Sequence, residues 1–573
     1  MGLSRSGRGV WPAFWVAAGL LAWLVAAPLA MLLLTSVTAD ADHLPLEGRV
    51  SLAAYAATFG RATTWRALGN SFVFAAGATF LGLAIAGLFA WAIERTDLPC
   101  RRLLFIAILV PMAIPNMIYA TAWVQLVNDS NGLLNVTLGR LGLGQPDTDL
   151  VSMPGMILVQ GLAMASHAYL LIAAGFRNLD PSWEEQSLVA GRGPFGTLLR
   201  ITLPVLRPSL LSAALFFALV AIETFDVPGM IGLSAHIELL STRIFWNTHP
   251  EGGQMPDFGT ASALAALLLA IALVLVHLHQ REANQARRFV TITARGFRPR
   301  RMELGKLRLP LLAASLVLVL LVSVLPLLML IWRSLLRFYT YPSAAAFGRL
   351  TWDGYRSVLT EPGSLRMLGN TAVMAITTAL TTVALAAAVA WLGLRAPLPA
   401  RPRLVLRSVA MLPQAVPSVV LGFAFLTLYL LAPIGLYGTV WIIVLALVAK
   451  YLAYTTGTIT AAQLQVAPEL EEASQIAGAS AFATWRRILA PLLAPALGNC
   501  LLWVMIHAIR ELAIAIMLYS PSSNVLATEV WLLWEGGQMT ELCALGVLAT
   551  LVLVLLLSLP WLFGGLIPAR RTT

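Results

Sequence analysis

Long apolar runs separated by short basic connections dominate this sequence and leave few structures open to it. A hydrocarbon layer about 30 Å thick is crossed by roughly 20 helical residues, and backbone facing lipid must satisfy its own hydrogen bonds. Twelve runs meet that length: Pro12 to Thr35, Gly69 to Ile93, Leu103 to Val127, Met153 to Gly175, Pro208 to Leu233 and Phe258 to His279, then Leu311 to Leu336, Gly369 to Leu394, Leu404 to Leu431, Tyr437 to Thr460, Pro495 to Tyr519 and Leu542 to Gly564. The expectation is an all-α polytopic membrane protein of about twelve transmembrane helices. Composition agrees, since 59% of the 573 residues are hydrophobic and only 11% charged, whereas soluble domains carry about a quarter charged residues.

Charge then orients the chain. The net charge of +11 could point to nucleic acid, but the basic residues fall in short connections, as the positive-inside rule requires, and no nucleic-acid partner is expected. Residues Gln280 to Leu309 carry Arg281, Arg287, Arg288, Arg295, Arg298, Arg300, Arg301, Lys306 and Arg308 against Glu282 and Glu303. This linker is expected in the cytoplasm, and alternation of spans places both termini there. Arg5 and Arg8 before the first run resemble a signal-peptide start. The length of the run and the even helix count favour a retained anchor.

Self-comparison reveals a duplication. Gly69-Asn70-Ser71 recurs as Gly369-Asn370-Thr371, and Pro111-x-x-x-Pro115 recurs as Pro413-x-x-x-Pro417. Glu184-Glu185-Gln186-Ser187 with Ala190-Gly191, Ile201 and Pro204 recurs as Glu471-Glu472-Ala473-Ser474 with Gly478, Ile488 and Pro491, at a constant offset of 287. Repeats of six helices share one orientation, so a parallel duplication about the membrane normal follows. Residues 1–280 form the first repeat, 281–309 the linker and 310–573 the second.

The duplicated polar segment lies between the fourth and fifth helices of each repeat, on the expected cytoplasmic side. It predicts a helix, a glycine turn and a second helix: the acidic pair suits a helix N-terminus, Gly191 or Gly478 permits a sharp turn, and Pro204 or Pro491 opens the next span. Such an elbow suits the groove of a soluble partner. Glu-x-x-x-x-x-Gly followed by Ile-x-x-Pro resembles the EAA loop of ABC importer permeases. The first copy has Gln186 and Ser187 where that family usually has two alanines, and the second has Ala490 where leucine is usual. The resemblance spans nearly the whole chain and is nearest to fused ferric-iron permeases, relatives of thiamine, sulfate, polyamine and phosphonate permeases. It is carried by Ile222-Glu223-Thr224-Phe225-Asp226-Val227-Pro228, by Arg510-Glu511-Leu512 and by the run from Phe289 to Arg300.

The resemblance implies the type I, MetI-like architecture and an inner-membrane location. It also implies two copies of an ABC ATPase at the elbows, a periplasmic binding protein that delivers substrate, and one fused chain in place of a permease dimer. The chain carries no Gly-x-x-x-x-Gly-Lys-Ser/Thr loop, so ATP and Mg would belong to the partner, with no cofactor in this chain. An enzyme is disfavoured for want of a Ser/His, metal or paired-aspartate constellation. An ion-coupled secondary transporter stays open as a second class.

Ionisable residues inside spans are costly and by default face a cavity or one another. Glu223, Asp226, His507, Arg510 and Glu511 are therefore candidates for the translocation path or its gate. Glu223 aligns with Glu511 at an offset of 288, and the two carboxylates could give transient oxygen ligands to a hard cation or a polyamine; no firm metal site is expected. The plainer reading is that Arg510 pairs with a carboxylate and the set locks helix packing. His507 reads as a packing histidine. Lys450 and Tyr451 are expected to snorkel to the inner interface, and Trp11, Trp531 and Trp534 to sit in interfacial belts. The four prolines should kink the third and ninth helices. Cys100, Cys500 and Cys543 lack metal-ligand spacing.

Overall fold

The computed structural model describes residues 10–38, 49–127, 132–140, 142, 150–250, 252, 254–288, 301–431 and 434–562. Arg5, Arg8 and the run from Phe289 to Arg300 lie outside them. The described residues are helical, with two isolated bridges, Thr38 to Val50 and Thr96 to Met302, as the extended pairings among them.

Among the described residues, ten helices are long and apolar enough to cross a membrane, and two bent pairs bring the count to twelve if each pair is one span. In the first repeat we label α1 Val10–Ser36, α2 Ala62–Arg95, α3 Arg101–Ala113, α4 Asn116–Leu126 and α5 Met153–Asn178. The elbow helix α6 is Pro181–Val189. It is followed by α7 Pro194–Glu223, the short α8 Leu240–Thr248 and α9 Phe258–Gln285. The second repeat gives α10 Gly305–Ser334, α11 Pro362–Leu394, α12 Ala400–Ala415, α13 Ser418–Leu430 and α14 Val440–Gln463. Its elbow helix α15 is Glu469–Ile476, followed by α16 Ala481–Arg510, α17 Leu526–Glu535 and α18 Met539–Leu559. Each helix of the first repeat thus has its counterpart nine labels later.

Two sequence expectations change here. The third and ninth spans are broken rather than kinked: α3 and α4 meet at 104° and α12 and α13 at 111°. The cause is local. Ile114 and Val416 precede Pro115 and Pro417 and take extended backbone, φ/ψ of −95°/124° and −96°/116°, as the proline ring demands of its predecessor. The fifth and eleventh spans also end ten and nine residues before the apolar run does, at Glu223 and Arg510. Hydropathy continues past both points, but the chain leaves the helix there, with Thr224 and Glu511 extended (ψ 135° and 106°).

The repeats interlock through their first helices. The C-terminal half of α1 packs on α13 of the other repeat, and that of α10 packs on α4. Tyr119 in α4 donates to the Val322 carbonyl of α10 at 2.8 Å, and Ser323 donates to the Ala107 carbonyl of α3 at 2.6 Å. The duplicated Asn-Ser and Asn-Thr motifs also gain a purpose. Ser71 and Thr371 accept from the first amides of α8 and α17, Leu240 N and Leu526 N, at 2.9 and 2.8 Å. Asn70 and Asn370 donate to the carbonyls just before those helices. These side chains satisfy helix ends that otherwise lack partners.

Candidate functional site: two elbows and a cross-repeat network

Each elbow is built as its residues dictate. Asp180 accepts from the Ser182 amide at 2.9 Å and caps α6, with Pro181 at the first helical position. The helix ends at Val189 with Ala190 as its cap, and Gly191 follows with φ +82°; in the second copy Gly478 has φ +83°. That left-handed geometry disfavours residues with a Cβ, and it closes the last turn with Arg192 N to Ser187 O and Ala479 N to Ser474 O, at 3.2 and 3.0 Å, a Schellman-type stop. Across the turn Ser187 meets Thr197 (3.0 Å) and Ser474 meets Thr484 (2.9 Å), joining the two arms.

Of each acidic pair only one member faces inward. Glu184 and Glu471 are buried, whereas Glu185, Glu472 and Ala473 are exposed. Glu184 pairs with Arg95 at the end of α2, and Glu471 pairs with Arg395, the residue that caps α11, at 3.1 Å. Ile201 and Ile488 lie half-buried in matching π-helical turns, and Pro204 and Pro491 are exposed just beyond them. The outer tips are apolar: Val189 and Ile476 are 90% and 89% exposed, flanked by exposed Phe195 and Phe482.

The second assembly lies at the helix breaks. Lys450 Nζ is 3.2 Å from Glu223 Oε2 and donates to the Val416 carbonyl at 3.2 Å. Arg510 donates to the Met112 carbonyl (2.7 Å), to the Ile114 carbonyl (3.3 Å) and to Asn116 Oδ1 (3.3 Å). Asn116 in turn donates to Asp226 at 3.2 Å, and Tyr451 donates to Glu511 at 3.3 Å. Both proline breaks leave carbonyls without intrahelical donors, and a cation from α14 or α16 supplies each break.

Several expectations are thereby corrected. Lys450 and Tyr451 do not snorkel to an interface; they turn to the half-buried carboxylates of Glu223 and Glu511. Arg510 pairs with carbonyls rather than a carboxylate. Glu223 is symmetry-related to Arg510, not Glu511, since α7 and α16 keep the elbow offset of 287 to their last residues. Trp531 is 2% exposed and packs on Phe225 and Phe245, with ring centroids 5.3 and 5.9 Å away, so it is not in a lipid-facing belt. His507 is stacked on Trp503 at 4.0 Å and donates to its carbonyl. Among the described residues no group of three or more His, Cys, Asp or Glu side chains is placed to hold a metal ion.

Arg95, Arg395 and Asn116 were not singled out as site residues from the sequence, and Lys450 was read there only as an interfacial side chain. The arginines share the offset of 300 that relates Gly69 to Gly369, which would have exposed them. Lys450 stands opposite Ala163 and leaves no repeat signal.

This geometry defines a duplicated, polytopic helical membrane protein with one exposed elbow per repeat. The chain belongs to the family described as binding-protein-dependent transport system inner membrane component, which matches residues 82–288 and 382–572. Among its relatives, the probable ABC transporter permease protein y4fN of Sinorhizobium fredii is 25% identical over 86% of each chain. The Fe(3+)-transport system permease protein FbpB 2 of Haemophilus influenzae is 23% identical over 81% of this chain and 83% of its own. The ferric transport system permease protein FbpB of Actinobacillus pleuropneumoniae is 23% identical over 72% of this chain, and the match spans 58% of that relative's length.

Proposed function

We propose that this chain is the membrane-spanning permease of an ATP-driven importer, with the elbow end in the cytoplasm and ferric iron as cargo. The duplicated elbow carries the reading. Two short helices, each stopped by a glycine turn, braced at its base and presenting an exposed apolar tip, are suited to two identical soluble ATPase subunits, which would bring the ATP and Mg. A periplasmic binding protein would deliver cargo at the opposite end, and one fused chain would do the work of a permease dimer.

Closure of the ATPases would draw the elbows together and rock the repeats apart at the far end. The contacts from Lys450 to Glu223 and from Arg510 to Ile114 and Met112 cross between repeats and would have to part as the path opens. Asp226 and Glu511 form no ion pair among the described residues, which favours a cationic cargo over an anionic one. Iron is favoured by the two relatives named for ferric transport; an organic polycation is the second reading, on the same two carboxylates.

The test is to isolate the partner binding protein and identify the ligand it retains, then measure uptake of that ligand in vesicles carrying the full assembly. Iron in the binding protein and ATP-dependent uptake is the expected result. A metal-free ligand overturns the cargo, and uptake that survives ATP depletion but collapses with an uncoupler overturns the importer.

A further inference from the structure

The buried pairs at the base of the two elbows are built alike in more than charge. Arg95 Nε donates to Glu184 Oε2 at 2.8 Å and Nη2 donates to the same oxygen, while Nη1 donates to the Leu179 and Phe176 carbonyls at 3.2 and 3.5 Å. Arg395 is 3.1 Å from Glu471 and donates through Nη2 to the Gln463 and Val466 carbonyls, both at 2.6 Å. Those carbonyls are the same positions in the two repeats, 287 residues apart. Each guanidinium therefore ties three elements together: the end of the second span, the end of α5 or α14, and the elbow helix. A planar fork holds a carboxylate and two helix-terminal carbonyls in one fixed arrangement, whereas an ammonium on a flexible stem reaches its acceptors without fixing their relative orientation.

We propose that Arg95 and Arg395 are positioning residues, struts that make each elbow move as one body with the two spans above it, so that displacement of the tip reaches the helix breaks instead of bending the elbow. This rests on the reading of the elbows as ATPase-docking elements. An elbow helix of eight or nine residues does not hold its place by its own hydrogen bonds. Without a strut, a push at Val189 or Ile476 would be absorbed at the glycine turn and at the junction with α5 or α14.

The two struts are unequal. Thr202 donates to the second oxygen of Glu184 at 2.7 Å, and Leu489 stands at the corresponding place in the second repeat. The end of the linker adds a strap on the first side: Met302 N donates to the Arg95 carbonyl at 2.9 Å, Asp97 N to the Met302 carbonyl at 3.1 Å, and Leu304 N to Asp97 Oδ1 at 3.0 Å. The first elbow is the stiffer of the two.

The experiment uses the full chain in lipid nanodiscs, with the exposed Cys100 replaced by Ser and a nitroxide attached at Val189→Cys or Ile476→Cys. The expected spectra show less motion at 189 than at 476, and Arg395→Gln frees the label at 476. In the unlabelled complex with its ATPase, Arg395→Gln lowers stimulation of hydrolysis by loaded binding protein about tenfold while the ATPase still co-purifies, and Arg395→Lys does not restore it. If Arg395→Gln does not fold, Glu471→Gln takes its place with the same expectation. An unchanged spectrum at 476, or stimulation within twofold of the unaltered complex, overturns the struts. Failure of the unaltered chain to retain any ATPase overturns the docking reading instead.

Discussion

Glu223 and Arg510 occupy the same place in the two repeats, each the last residue of the span that follows an elbow, and they carry opposite charge. Both serve the broken span of a repeat. Arg510 crosses to the first repeat and donates directly to the Met112 and Ile114 carbonyls. A carboxylate cannot donate to a carbonyl, so Glu223, crossing to the second repeat, meets Lys450, which reaches the Val416 carbonyl on its behalf. The symmetry is kept in what is satisfied, the carbonyl before each proline, and broken in the residues that satisfy it.

Lys450 and Glu223 should therefore behave as one unit. Replacing Lys450 by Met leaves the half-buried Glu223 carboxylate without its cation, a loss of about 1–3 kcal/mol. The thermal midpoint of the purified chain should fall. Adding Glu223→Gln should recover most of it, and a double variant no more stable than the single would show that the two side chains are not coupled.

The glycine turns should be intolerant for conformational reasons alone. No atom lies within 4 Å of a Cβ built at Gly191 or Gly478, so the cost of Gly→Val is the left-handed backbone, about 1–2 kcal/mol per site. The elbow should lose its turn while the spans stay folded. Co-purification of the ATPase should drop in the double variant while the purified chain stays folded, its thermal midpoint lowered no further than the two strained turns require; full retention would count against docking at these elbows.

Exposed apolar tips have no folded-state use in the chain by itself. Val189→Asp and Ile476→Asp should leave stability within about 0.5 kcal/mol, as surface changes generally do, yet abolish ATP-dependent uptake. Pull-down and uptake measured on the same membranes would decide it, and normal uptake in the double variant would refute the role given to the tips.

Much of this protein was legible in the sequence, because spanning a membrane is a one-dimensional requirement. Apolar run length located the spans, and the recurrence of Glu184 to Pro204 as Glu471 to Pro491 located the elbows and their glycine turns, since capping and φ are decided by residues within one turn. Pro115 and Pro417 announced a disturbance for the same reason. How far the chain bends at them depends on whether the freed carbonyls find donors, and those donors sit on other helices: Lys450 is 34 residues beyond Val416, and Arg510 is 396 beyond Ile114.

What the sequence determined by itself was the class of structure: helices of membrane length, duplicated in parallel, with a polar elbow in each copy. Tertiary structure alone decided which charges serve one another. Glu184 rather than Glu185 turns inward because Arg95 is there to meet it, Lys450 stays inside because Glu223 does, and Glu223 answers to Arg510 because two helices end in register. The physical reason is the cost of an unsatisfied charge or carbonyl away from water. That cost is met by whichever partner the packing brings within about 3 Å, and hydropathy along the chain carries no record of it.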